Sequence, residues 1–87
     1  MHEFSLINDL MRKIGGIALE QGASRVAAVK VKIGAFAHIS PEHFREHFEQ
    51  ATRGTIADGA RLDIVLNLDP DDPSAQDILL DSVEVED

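Results

Sequence analysis

The sequence of 87 residues contains no cysteine. Within these residues a disulfide framework, a thiolate zinc site, an iron–sulfur cluster and a cysteine nucleophile are therefore excluded. Tryptophan and tyrosine are absent too, so the four phenylalanines supply the large aromatic side chains. With 44% hydrophobic residues, the composition is that of a folded domain with a mainly aliphatic core.

Basic residues and long apolar runs are also scarce. Eight lysines and arginines stand against sixteen acidic residues, which gives a formal charge of −8, and a phosphate backbone would repel a surface of that sign. No apolar run approaches the roughly 20 residues of a membrane span, and Met1-His2-Glu3 does not begin a secretory signal. We therefore expect a single cytoplasmic domain over residues 1–87, without a nucleic-acid or membrane partner.

Apolar residues near the N-terminus recur every three or four positions, which predicts an amphipathic helix. The stripe consists of Leu6, Leu10, Ile14, Ile17 and Ala18. Ser5 is the predicted N-cap and Gly22 the predicted stop, and residues 1–4 are predicted to form a short edge strand or an extended arm. Gly15-Gly16 lies within the predicted helix, where each glycine costs about 1 kcal/mol of helix stability relative to alanine. We interpret the pair as a place of close packing against a neighbouring strand rather than as a weak point in the helix.

A second helix is predicted after the strongest start signal in the chain, Ser40-Pro41-Glu42. Serine caps the helix, proline suits its first position, and glutamate complements the positive end of the helix dipole. The apolar stripe of this helix consists of Phe44, Phe48 and Ala51. The helix is predicted to close near Gly54.

Three longer segments alternate between apolar and polar residues, as half-buried strands do. They span residues 25–33, 61–68 and 77–86. The alternation of the last segment shifts near Asp81-Ser82, which predicts a bulge. The predicted fold class is therefore α/β of the α+β type, with two helices on one face of a small three- to four-stranded mixed sheet in the order β-α-β-α-β-β.

The first three residues carry the most distinctive chemistry. The α-amine of Met1, the backbone amide of His2 and the Nδ1 atom of its imidazole can close a five-membered and a six-membered chelate ring around one metal ion, with the amide of Glu3 as a further nitrogen. Planar nitrogen donors suit Ni(II) and Cu(II). The chelate requires that Met1 carry the free amine, and on its own a histidine at position 2 is more often a solvated terminal residue.

Short motifs occur in a fixed order along nearly the whole chain. They are Met1-His2-Glu3-x-Ser5-Leu6, Ile33-Gly34, Pro41-Glu42, Phe48-Glu49, Gly54-Thr55, Ala57-Asp58-Gly59-Ala60 and Val83-Glu84-Val85-Glu86. Their order and spacing closely resemble the HypA/HybF family of nickel-insertion accessory proteins. The resemblance implies that Ni(II) binds through His2, with the Met1 amine and nearby backbone amides as co-ligands and Glu3 tuning or orienting the site. It further implies delivery of nickel to [NiFe]-hydrogenase, in some organisms to urease, with a HypB-like GTPase and a hydrogenase large subunit as partners.

The chain departs from that family in one large respect. Family members carry a zinc ribbon with two Cys-x-x-Cys pairs before the final strand, whereas here only the polar, proline-containing loop 69–76 joins the last two predicted strands. We therefore expect no structural zinc, and we interpret the chain as a HypA-like nickel-binding domain in which this loop replaces the zinc ribbon.

Three further histidines could contribute metal donors. His43 and His47 lie four residues apart on the second predicted helix, a spacing that can bind a transition metal, but they also flank the apolar stripe, and we interpret them as boundary residues. His38 has no third ligand of defined spacing beside it, so all three are left outside the predicted site. The carboxylates of residues 69–72 lack the EF-hand pattern and are interpreted as part of a solvated loop.

No serine-nucleophile motif or glycine-rich phosphate loop occurs in the sequence, so we do not expect an enzyme. The leading hypothesis is a metallochaperone that binds Ni(II) at Met1-His2-Glu3 and delivers it for hydrogenase maturation. The alternative is a protein-interaction module of the same fold that docks a hydrogenase-type or maturation partner without carrying metal.

Overall fold

The computed structural model describes the backbone of residues 3–87 and the side chains of residues 6–87. Two helices and three strands alternate along this part of the chain. They are α1 (Glu3–Glu20), β1 (Arg25–Gly34), α2 (Pro41–Thr52), β2 (Arg61–Asn67) and β3 (Ile78–Glu86). Between residues 3 and 87, neither helix combines the length and the apolar content needed to cross a membrane.

The three strands form one mixed sheet in the order β2-β1-β3. The central strand β1 runs parallel to β2 and antiparallel to β3. Its inward residues Val29, Val31 and Ile33 are buried under the helices, whereas Lys30 lies exposed on the opposite face. The predicted fold class, two helices on one face of a small mixed sheet, is confirmed.

The start of α1 differs from the prediction. The helix begins at Glu3, so Glu3 and Phe4 do not form a strand or an extended arm, and Ser5 lies inside the helix rather than at its N-cap. A glutamate in the first turn suits the positive end of the helix dipole, which favours this earlier start. The remaining part of the predicted strand, Met1 and His2, lies outside the described residues.

The prediction for Gly15-Gly16 is wrong. Apart from the adjacent backbone of α1 itself, a Cβ atom built on either glycine would have no heavy atom of the described residues within 4 Å, so no strand packs closely against this part of α1. The two glycines lower the intrinsic stability of the helix without a compensating contact. They are therefore a weak point of α1, the interpretation that the sequence analysis set aside.

The start of α2 matches the prediction. Ser40 has extended backbone angles, and its Oγ atom accepts a hydrogen bond from the backbone N–H of His43 at 3.1 Å. Phe44 and Phe48 are almost completely buried in the core. The cap therefore fixes the point at which the chain turns into the helix, and the two rings anchor that helix to the sheet.

We expect Ser40→Ala to lower the free energy of unfolding by about 1 kcal/mol, because an N–H of the first helical turn loses its acceptor. Urea denaturation followed by circular dichroism measures this loss. Ser40→Asp is the matched variant, since its carboxylate can accept the same hydrogen bond and should retain most of the stability. Equal losses in both variants would contradict a capping role.

The pairing of β1 with β3 contains two irregularities. Between the pairs Lys30↔Ser82 and Val31↔Leu80, Asp81 is the extra residue on β3, so the bulge predicted at Asp81-Ser82 is confirmed. A second irregularity, at Ala27 in β1, has no counterpart in the prediction. Bulges of this kind increase the local twist of the strand pair.

The alternation of β2 predicts its face but not its depth of burial. Leu62 is 5% exposed, whereas Leu66 is 49% exposed and Leu68, beyond the strand end, is 75% exposed. Because β2 lies at the edge of the sheet, its C-terminal end has no neighbour on the outer side. The strand ends at Asn67, one residue earlier than predicted, and apolar side chains near this end lie at the surface.

The loop between β2 and β3 packs tightly against the end of β1. The N–H of Gly34 donates to the carbonyl oxygen of Asp77, and the N–H of Phe36 donates to that of Ala75, at 2.9 and 2.6 Å. A Cβ atom on Gly34 would lie closer than 3.0 Å to the carbonyl oxygens of Ser74 and Ala75. Glycine at this position therefore allows the loop backbone to lie directly on the strand.

Candidate metal centre

The predicted metal ligands lie at the start of α1. Met1 and His2 are outside the described residues, and Glu3 is the first residue of the helix. The first four N–H groups of an α-helix have no acceptor within the helix. The amide of Glu3, predicted as a further nitrogen ligand, therefore belongs to a set of donors that the helix itself leaves unused.

An open groove of about 570 Å³ borders the N-terminal half of α1. The residues that line it are Leu6, Lys13, Phe36, Ala37, His38 and residues 76–79. These come from α1, from the loop after β1 and from the start of β3. Several chain segments that are distant in sequence therefore meet beside the first turns of α1.

Both helices begin at this end of the molecule. Leu6 of α1 shares the groove with residues 36–38, and those residues lead directly to Ser40, the N-cap of α2. The two helices also pack against each other. The first turns of α2 therefore lie at the same end of the fold as the start of α1.

His38 is exposed and adopts a left-handed backbone conformation, with φ of 58°. Residues other than glycine seldom occupy this region, so the loop turns sharply here before α2. The side chain lines the groove beside Leu6. The structure thus places His38 at the end of the fold where α1 begins, although nothing in the sequence links the two segments.

His43 and His47 lie on the same side of α2, with their ring centroids 6.5 Å apart. His43 is exposed and His47 is half-buried. They flank the buried rings of Phe44 and Phe48, as predicted for boundary residues. Their close approach follows from their spacing, since residues four apart are neighbours on a helix surface.

Among the side chains that the structure describes, no three histidine, aspartate or glutamate residues come together as a metal cluster. The three histidines considered above therefore do not assemble a complete cage with the described carboxylates. A metal held by this end of the fold needs donors from the terminal peptide, water or another molecule.

The acidic loop uses its carboxylates for internal hydrogen bonds. Asp72 accepts from the backbone N–H of Ser74 and from the side-chain amide of Asn67, both at 2.7 Å. The hydrogen bond from Ser74 holds the pKa of the Asp72 carboxyl below its usual range. The hydrogen bond from Asn67 and the positive charge of Lys32 lower this pKa further. These hydrogen bonds hold the loop together, as expected for a surface connector between two strands.

Comparison with known sequences identifies a family. The profile of the family described as "Hydrogenase/urease nickel incorporation, metallochaperone, hypA" matches residues 1–68. The hydrogenase maturation factor HypA of Methylocella silvestris is 45% identical over 64 residues, which are 74% of this chain and 57% of the relative. The factor of the same name from Archaeoglobus fulgidus is 39% identical over 64 residues, 74% of this chain and 58% of the relative.

The chain therefore spans little more than half the length of these relatives, and the family match ends at Leu68, just after β2. A solved structure, the solution structure of the Ni metallochaperone HypA from Helicobacter pylori, superposes with a TM-score of 0.81. It covers 99% of this chain and 98% of the other chain at 20% sequence identity. This likeness confirms the fold.

Proposed function

This chain belongs to the HypA family, and we propose that it binds Ni(II) as cargo through Met1, His2 and Glu3 and delivers it for hydrogenase maturation. The family match over residues 1–68 carries the proposal, because it includes the Met-His-Glu terminus. The described relatives are named maturation factors or metallochaperones rather than enzymes. A protein that carries nickel needs a site that another protein can reach, and a chain terminus meets that need.

The start of α1 supports nickel binding by backbone amides. Because the helix begins at Glu3, coordination by the Glu3 amide breaks no hydrogen bond within the helix. The positive end of the helix dipole also favours negative charge, and an amide that binds Ni(II) in a plane does so after losing its proton. The helix therefore stabilises the ligand form that the chelate requires.

A planar chelate of this kind is suited to passing its nickel ion to another protein. The amine of Met1, the amide and Nδ1 of His2 and a fourth donor surround the ion in a plane, which leaves both faces accessible to ligands from a recipient. We place a HypB-like GTPase and a hydrogenase large subunit, or urease in some organisms, as the partners in this transfer. The host fold need not open for the metal to leave.

We also infer that the loop 69–76 stands in place of the zinc ribbon. The family match ends at Leu68, and β3 begins after a connector that hydrogen-bonds to Gly34 and Phe36. The 87 residues hold no cysteine, so a four-cysteine zinc site is not part of this segment. Among the described residues, the sheet and the helices pack around a single hydrophobic core.

We expect Ni(II) titrated into the untagged chain to give the absorption band of a low-spin planar complex at one equivalent. His2→Ala should lose this band, because without the imidazole the chelate rings no longer close. His38→Ala changes an exposed histidine outside the chelate and is the matched control, in which the band should persist. A band that survives in His2→Ala would overturn the proposed site.

A further inference from the structure

We propose that a pocket lined by arginines, at the C-terminal end of α2, binds an acidic segment of a partner protein. The pocket has a volume of about 370 Å³ and lies between the last two turns of α2, the turns of residues 53–60 and the start of β2. Arg45, Arg53 and Arg61 line it, and we call these three side chains together with Arg25 the arginine patch. The proposal stands on this patch and does not rest on nickel binding by the terminal peptide.

The arginine patch concentrates positive charge in one place on an acidic chain. Four of the five arginines of the sequence belong to it, although the formal charge of the chain is −8. Arg25, at the start of β1, joins the patch because its Nη2 atom lies 3.9 Å from a Cβ atom built on Gly59, a residue of the pocket wall. Interactions between exposed charges are largely screened beyond about 8 to 10 Å at physiological salt. The charge around the pocket, rather than the net charge of the chain, therefore decides what docks there.

Three of the four guanidinium groups of the patch have N–H donors available to a ligand. Arg45 donates from Nη1 to the carbonyl oxygen of Leu62 at 3.1 Å, which anchors this side chain and leaves its remaining donors unused. Within the described part of the chain, the side chains of Arg25 and Arg53 form no hydrogen bond or ion pair. Arg61 is already paired with a carboxylate of its own strand. Because a guanidinium group carries five N–H donors in a planar fork, it matches the two oxygens of a carboxylate.

The pocket wall also carries two carboxylates, from Glu49 and Asp58. Asp58 is engaged within the wall, since its Oδ2 atom accepts a hydrogen bond from the backbone N–H of Gly54 at 3.0 Å. Glu49 is exposed on α2. The wall therefore carries three guanidinium groups against two carboxylates, and one of these carboxylates already has a backbone partner.

The spacing of the arginines favours an extended occupant. Arg45 and Arg53 are eight residues apart, about 12 Å along the helix axis, which is farther than one phosphate or carboxylate group spans. In an extended segment, acidic residues two or four positions apart lie about 7 or 13 Å from each other on the same side. Phe48 and Leu62, both almost completely buried, form an apolar floor between the arginines. Carboxylates of such a segment can therefore reach the arginines while its aliphatic atoms pack on this floor.

The arginine patch lies at the other end of the sheet from the start of α1. β1 begins at Arg25, whereas the groove beside Leu6 is lined by residues 36–38, which follow the end of β1. A strand of ten residues is about 33 Å long. A partner that docks at the patch therefore leaves the N-terminal peptide accessible to a second protein.

The test titrates the full chain of 87 residues with a capped decapeptide of alternating glutamate and alanine. Amide resonances are followed by NMR, and fluorescence anisotropy of the labelled peptide gives the affinity. We expect the resonances of residues 45–62 to shift, those of residues 36–38 to stay in place, and the affinity to fall as salt is added. A decapeptide of alternating glutamine and alanine is the matched control and should not bind. Absence of shifts in residues 45–62 with the acidic peptide overturns the proposal.

Paired substitutions show whether the patch itself binds the peptide. Arg45→Gln with Arg53→Gln removes two charges from the pocket, and Arg12→Gln with Lys13→Gln removes the same charge from exposed positions of α1. We expect the first pair to weaken binding about tenfold, as the loss of two exposed charge pairs does, and the control pair to have little effect. Circular dichroism verifies the fold of each variant. Equal losses in both pairs contradict the proposal, and so does inorganic pyrophosphate that shifts residues 45–62 when the acidic peptide does not.

Discussion

Blocking the amine of Met1 is expected to abolish the planar nickel complex. A Gly-Ser-Gly-Ser extension before Met1 converts that amine into a peptide nitrogen and moves the new terminus away from His2. The imidazole then has no adjacent amine with which to close the chelate rings, so the low-spin band should disappear from the nickel titration. The fold should be unaffected, because the described helices and sheet do not include Met1.

A single glycine before Met1 is the sharpest control. The new amine, the amides of Met1 and His2 and the Nδ1 atom of His2 then form a planar set of nitrogen donors, which suits Ni(II). We expect this variant to keep a planar band, whereas the longer extension loses it. Retention of the band in the longer variant would contradict a chelate built from the chain terminus.

The same extended variants separate the two functional hypotheses. A metallochaperone with a blocked terminus should fail to load nickel and fail to activate a hydrogenase that depends on it. A docking module that carries no metal should bind its partner and act equally well with either terminus. Binding of a HypB-like GTPase, measured beside hydrogenase activity, therefore shows which role this fold performs.

Gly34→Ala is expected to cause the largest loss of stability among conservative changes in the chain. The new Cβ would lie closer than 3.0 Å to backbone carbonyl oxygens of Ser74 and Ala75, and backbone cannot move aside as a flexible side chain can. We expect a loss of about 2 to 3 kcal/mol and a fall in the melting temperature of roughly 10 to 15 °C for a domain of this size. Thermal unfolding followed by circular dichroism measures it.

Gly16→Ala is the matched control, since it makes the same chemical change in open space. Beyond the backbone of its own helix, no atom of the described residues lies within 4 Å of a Cβ at this position, and alanine is favoured over glycine in a helix by about 1 kcal/mol. We expect this variant to be more stable than the native chain. If both substitutions destabilise the protein to a similar extent, the tight contact between the loop and β1 is not what makes Gly34 necessary.

Signals that act over a few residues predicted the fold well. Ser40-Pro41-Glu42 predicts the start of α2 because a cap, a fixed proline φ and a first-turn acid all act within one helical turn. The bulge at Asp81 is visible because a single extra residue reverses the alternation of inward and outward side chains. Such features depend on the chain itself and little on its neighbours.

Features that depend on neighbouring elements were predicted poorly. The alternation around Leu66 indicates which way the side chain points, but not that β2 lies at the sheet edge without cover. Gly15-Gly16 has the composition of a close contact, yet no element approaches it. The tight contact at Gly34 involves a loop about forty residues later in the chain, and no local sequence pattern predicts it.

The candidate site likewise combines features that local sequence predicts with features that depend on tertiary packing. The proposed chelate of the first three residues can be inferred from the sequence, because it would use atoms of adjacent residues. The meeting of α1 with residues 36–38, and hence the placement of His43 and His47 at this end, depends on how two helices pack against one sheet. Helical spacing identifies the histidine pair, but only the tertiary structure relates it to the start of α1.

The central claim is that the terminal peptide of this chain binds nickel without a zinc ribbon. X-ray absorption at the nickel edge tests it most directly, on a chain that carries His43→Gln and His47→Gln and is loaded with one equivalent of Ni(II). The account predicts a planar four-coordinate ion with nitrogen and oxygen donors and no sulfur. A six-coordinate ion surrounded by water oxygens would contradict it.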